Sequence, residues 1–76
     1  MQCIYEIRFE VTWESLQPGT WTEQTLKVVS QEDARAAIDK ARQAALAQHR
    51  LDDNGRENKC SGFRLRGVSL IGQADL

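Results

Sequence analysis

Few residues of this chain have the chemistry for catalysis. A nucleophile needs a base to activate it, and the only histidine is His49. A Cys60–His49–Asp52 arrangement can be drawn, with the Ser61 hydroxyl as the alternative nucleophile. Nothing around those residues forms a nucleophile elbow or an oxyanion hole, so an ordinary surface histidine is the better reading and no enzymatic activity is expected. One histidine and two distant cysteines, Cys3 and Cys60, cannot build a tetrahedral metal site within one chain. Asp52-Asp53-Asn54-Gly55 lacks the spacing and terminal glutamate of a calcium loop. Gly62 and Gly67 bracket a strand-like stretch followed by Val68, not by Lys-Ser/Thr, so they do not make a phosphate loop. No cofactor and no metal are implied.

Binding chemistry is better represented. Arg64 and Arg66 alternate with Phe63 and Leu65, and Arg56 and Lys59 precede them. Sheets that bind single-stranded nucleic acid interleave such bases with stacking aromatics. Here the same wet face carries Glu6, Glu10, Glu14 and Glu23 and no central aromatic. Pairing of Arg64 and Arg66 with Glu6 or Glu10 is therefore the first expectation, and nucleic-acid contact the alternative. At the tip of the first hairpin, Leu16 and Trp21 fall together on the wet face, and a solvent-facing tryptophan is a frequent anchor in protein interfaces.

The elements that must carry these residues are legible in outline. Cys3, Tyr5, Ile7, Phe9, Val11 and Trp13 alternate with Glu6, Arg8, Glu10, Thr12 and Glu14, the period of a strand with one buried face. Gln17-Pro18-Gly19-Thr20 suits a type II turn, with glycine at the position of positive φ. A second strand follows from Trp21 to Val29. Closing the hairpin tightly on that turn sets Val11 opposite Leu26, Phe9 opposite Val28 and Glu10 opposite Lys27, with Glu14 opposite Glu23 as the one poor pair. Ser30 suits a helix N-cap, with Asp33 completing a capping box. The helix is expected from about Gln31 to His49, its buried stripe Ala34, Ile38, Ala41 and Ala45 flanked by Ala37 and Ala44. Arg50 and His49 suit its C-terminal end, and Leu51 folds back on it. Asp52 to Gly62 reads as a long polar loop. Phe63, Leu65, Val68 and Leu70 make the last strand, with a bulge at Gly67 where the apolar phase shifts, and Gln73 to Leu76 a frayed tail.

The predicted architecture is a single α+β domain over residues 1–76, ββαβ, with a three-stranded antiparallel-based sheet of order 2-1-3 and one helix on one face. A right-handed crossover then places Cys60 near Trp13 and far from Cys3, which excludes an intramolecular disulfide.

Composition is that of an ordinary globular domain: 76 residues, 41% hydrophobic, 28% charged, net charge −1. No apolar run approaches the ~20 residues that span a bilayer, and the N-terminus lacks a basic-then-apolar leader, so a cytoplasmic protein without membrane contact is expected. Charge is uneven. Residues 1–33 hold six acids against Arg8 and Lys27, and residues 34–76 hold eight bases against five acids.

In size, β-hairpin–helix–strand order and dense surface charge, the chain resembles the small phage and mobile-element inhibitors of the anti-CRISPR type. That resemblance implies a stoichiometric inhibitor of a guide-RNA surveillance complex, with Glu6, Glu10, Glu14 and Glu23 offered in place of DNA phosphates. The sequence reading is thus a non-enzymatic protein-interaction module. Trp21 and Leu16 are its apolar anchors, and the acidic row is its electrostatic contact. A weak nucleic-acid binder using Arg56, Lys59, Arg64 and Arg66 is the alternative. The last strand has an edge on which a homodimer could form by sheet extension.

Overall fold

The structure, a computed structural model, describes residues 2–14, 19–30, 33–51 and 54–74. Four strands and one helix follow in the order β1 (Gln2–Trp13), β2 (Thr22–Ser30), α1 (Ala34–Leu46), β3 (His49–Leu51) and β4 (Glu57–Ala74). The sheet is antiparallel with order β2-β1-β4-β3, so a small α+β domain is found with four strands where three were expected. The added strand comes from the end of the expected helix. Gln48 is held on two sides: its N–H donates to Ala45 O at 3.2 Å, and its carbonyl accepts from Cys60 N at 3.3 Å. The chain leaves the helix there, and His49, Arg50 and Leu51 pair with Lys59, Asn58 and Glu57. Most of the expected loop before Gly62 is therefore strand. Leu51 does not fold back and is 72% exposed.

Alternation in β1 buries Ile7, Phe9, Val11 and Trp13 on one face. The helix lies on that face through Ala37, Ala41 and Ala45, all fully buried; Ala44 points to solvent. Methyl-sized side chains let the helix approach the sheet closely. Phe63 joins the same layer, its ring 5.0 Å from that of Phe9 with Arg42 across its other side. The helix starts later than the sequence suggests. Ser30 is the buried last residue of β2, and Asp33 is the N-cap, its Oδ1 accepting from Ala36 N at 3.1 Å. At the other end Gln48 and Gln24 exchange amide hydrogen bonds of 2.7 and 3.0 Å, tying the helix exit to β2.

The β1–β2 register also differs. Val11 faces Thr22, not Leu26, and Glu6, not Glu10, faces Lys27. Glu10 faces Glu23, the like-charge pair that the tight register assigned to Glu14. The slide is an even number of residues, so every side chain keeps its expected face. It pairs β2 with β1 as far as Cys3, whereas the tight register leaves the first residues of β1 without partners on that side. Gly19 has the expected positive φ, 88°. The other turn residues, Gln17 and Pro18, lie outside the described residues.

Against β1, the register of β4 shifts at three places, skipping Ser61, Arg66 and Ile71. The shift beside Gly67 is the expected bulge. Cys60 faces Trp13 and Cys3 faces Gln73, so the two thiols sit at opposite ends of the sheet and both are free.

Tyr5 makes a pH-dependent contribution. Partial desolvation, and then Cys3 beside it, push its phenol above the ordinary 10.0. The fold holds that proton more tightly than the unfolded chain does, so the contribution is intact below pH 10.0 and is lost as pH rises through the raised value. Tyrosinate absorbance of this single tyrosine should titrate later in the native protein than in denaturant. Equal midpoints would show a fully solvated ring.

Candidate functional site

The helix covers one face of the sheet; among the described residues no element covers the other. The even-numbered residues of β1 and their neighbours line this open face: Glu6, Arg8, Glu10 and Thr12 from β1, Glu23 and Lys27 from β2, and Gly62, Arg64 and Gly67 from β4. Trp21 joins them from the segment before β2. Its backbone approach is held by Thr12, whose Oγ1 donates to Thr20 O at 2.8 Å.

Trp21 is half-buried and lies over Gly62. A Cβ at that glycine would sit 3.3 Å from the indole Cη2 and 2.9 Å from Thr12 Cγ2, so the seat exists because residue 62 has no side chain. The Arg64 guanidinium stacks on the ring at 4.3 Å from its centroid. The same guanidinium reaches Glu10 Oε1 through Nε at 3.1 Å and Nη2 at 3.0 Å. Arg66, displaced by the bulge, adds Nε at 3.5 Å to that oxygen. Arg8 lies across Gly67, where a Cβ would meet its Nη2 at 2.5 Å. Exposed ion pairs and cation–π contacts are each worth about 1 kcal/mol or less, so this cluster orients side chains more than it stabilises the fold.

The expected pairing of Arg64 and Arg66 with an acid of β1 is thus found, with Glu10 as the acid. The acidic row is not a continuous display. Glu10 is only 17% exposed beneath its two arginines, Glu6 is half-buried and faces Lys27, Glu23 is exposed opposite Glu10, and Glu14 stands past the end of β1. Leu16 lies outside the described residues. Arg56, just before β4, and Lys59, near its start, are exposed. The sequence placed Trp21 on this face at the hairpin tip, but not its seat over Gly62 beneath Arg64, nor the part played by Arg8 and Thr12 beside it. The available signal was a pair of glycines inside a strand, where a neighbour approaches closely.

The other sequence candidates separate. His49 is exposed in β3 with Nδ1 2.5 Å from Glu57 Oε1. Cys60 is buried, and its thiol donates to Gly62 O at 3.5 Å. Ser61 Oγ donates to Thr12 O at 3.5 Å, and Asp52 lies outside the described residues. A shallow depression of about 410 Å³ beside β3 is lined by His49, Arg50, Leu51 and Glu57, with no hydroxyl or thiol among them. Among the described residues no group of three or more His, Cys, Asp or Glu side chains could hold a metal ion, and no helix is long and apolar enough to cross a membrane.

Comparison with protein-family models, curated proteins and solved structures finds no match to this chain.

Proposed function

We propose that this chain is a non-enzymatic protein-interaction domain that binds its partner through the open face of the sheet, with Trp21 and Arg64 at the centre. The observation that carries this reading is Trp21 itself, a partly exposed indole seated on a glycine and stacked by an arginine on a face that no described element covers. Tryptophan and arginine are the residues most enriched among energetic anchors of protein interfaces. Both side chains are already held in place, so ordering them on binding costs less.

A protein partner fits this face better than a nucleic acid does. Around Trp21 the sheet sets Glu6, Glu10 and Glu23 against Arg8, Lys27, Arg64 and Arg66. That near balance gives little of the field that draws a polyanion. It also makes the face a patchwork of both signs, which suits a partner carrying both. Imitation of DNA phosphates, as in inhibitors of defence complexes, is a weaker fit because Glu10 is already engaged by two arginines.

The test is affinity capture from bacterial lysate, with and without nuclease, using the wild type, Trp21→Ala and the helix variant Arg35→Ala. A stoichiometric protein should survive nuclease, disappear with folded Trp21→Ala by tenfold or more, as expected for a loss of ~2 kcal/mol at a hot spot, and remain with Arg35→Ala. Capture unaffected by Trp21→Ala would remove the proposed site. Capture abolished by nuclease would favour Arg56, Lys59, Arg64 and Arg66 as a nucleic-acid surface.

A further inference from the structure

The two edges of the sheet are finished differently. The edge of β2 carries Glu23 and Lys27 among its residues, and Lys40 Nζ donates to Val29 O at 3.1 Å. Charges and covering side chains of this kind are what keep an edge strand from pairing with another chain. On β4, β3 pairs only with Glu57, Asn58 and Lys59. Beyond that point no described strand lies on its outer side. Residues 67–74, Gly-Val-Ser-Leu-Ile-Gly-Gln-Ala, contain neither a charge nor a proline. Of the six large apolar side chains exposed among the described residues, Leu65, Leu70 and Ile71 are on β4, and Leu70 is 59% exposed.

We propose that this free edge of β4 pairs antiparallel with the same segment of a second copy, about a two-fold axis at Ser69. The backbone row calls for an extended strand, and the side chains select a second copy as its source. Between the bulges at Arg66 and Ile71 the strand is regular. Centring the pairing on Ser69 sets Val68 opposite Leu70 of the second copy, and Leu70 opposite its Val68, on the helix-covered face. Ser69 meets its own counterpart on the open face. Apolar and hydroxyl pairs of this type are favourable cross-strand neighbours, and any register confined to residues 67–74 opposes only neutral side chains. Arg64 and Arg66 of the two copies stay outside the paired stretch. The bulges limit its length, so the contact is smaller than the roughly 800 Å² per partner of a standard interface and the dimer is a readily dissociating one.

The two-fold axis stands perpendicular to the sheet. Both helices therefore lie on one side of an eight-stranded sheet, and both Trp21–Arg64 clusters lie on the other. A partner with two matching sites then gains from simultaneous engagement. The pairing itself does not rest on Trp21, and Trp21→Ala should leave it intact.

Sedimentation velocity over a range of protein concentrations tests the proposal. The wild type should shift from monomer to dimer as concentration rises. Leu70→Lys, at an exposed position that leaves the core untouched, should weaken the dimer about tenfold or more, while Leu46→Lys, which removes an exposed apolar side chain from the helix, should not. Ser69→Cys should form a disulfide-linked dimer on oxidation, because directly opposite strand residues come within disulfide reach; the wild type treated alike is its control. A monomer at every concentration, or a dimer that Leu46→Lys weakens as much as Leu70→Lys does, would overturn the pairing.

Discussion

Glutamate in place of Ala41 is expected to unfold the domain, while glutamate in place of Ala44, on the same helix, is expected to leave it folded. Ala41 is fully buried between α1 and the sheet, and Ala44 faces solvent. A carboxylate forced into that contact loses its water among the apolar side chains of the core. The effective penalty is several kcal/mol even after relaxation. A chain of this length has only roughly 4–11 kcal/mol of stability to lose. The alternative to a buried charge is to lift the helix from the sheet, which gives up the burial of Ala37, Ala41 and Ala45 together. At Ala44 the cost is the small difference in helix propensity, a few tenths of a kcal/mol. Urea denaturation followed by circular dichroism separates the cases. Equal damage from the two substitutions would mean that the helix does not present the face described.

Trp13→Ala is expected to cost about 3–5 kcal/mol, the range for removing a large buried aromatic, and Trp13→Phe far less. Trp13 is 5% exposed at the end of β1, and the Arg50 guanidinium of β3 stacks on it at 4.4 Å. The indole therefore does two things, closing the upper end of the core and giving β3 something to rest against. Its Nε1 is buried and has no hydrogen-bond partner among the described residues. Phenylalanine keeps most of the apolar contact and removes that unmet donor, which itself costs about 1–3 kcal/mol to bury. Arg50→Ala should cost only the exposed cation–π contact, about 0.5–1 kcal/mol. Denaturant midpoints of the three variants check the ranking. If Trp13→Phe proves as damaging as Trp13→Ala, the indole N–H has a partner that matters.

The alternation of β1, the turn glycine with positive φ, the alanine stripe and the phase break at Gly67 were all legible in the sequence. Each is a local property, set by side-chain period or by backbone sterics within a few residues. They suffice to determine which face of the sheet is buried, that one helix covers it, and that Arg64 and Arg66 share a face with Glu10. Even the wrong hairpin register kept those assignments, because an even slide does not exchange the faces.

What the sequence left open were choices between partners distant in the chain. Asp33 takes the N-cap from Ser30 because β2 stays paired with β1 as far as Ser30 and Cys3. His49 and Arg50 become a strand because Gln48 is tied at once to Gln24 and to Cys60. Trp21 comes to lie over Gly62 and under Arg64 only when β4 is docked beside β1 with its three register shifts. Only the tertiary structure decides such points, since the competing local arrangements differ by a kcal/mol or so, while satisfying a strand's whole row of backbone hydrogen bonds is worth several times that.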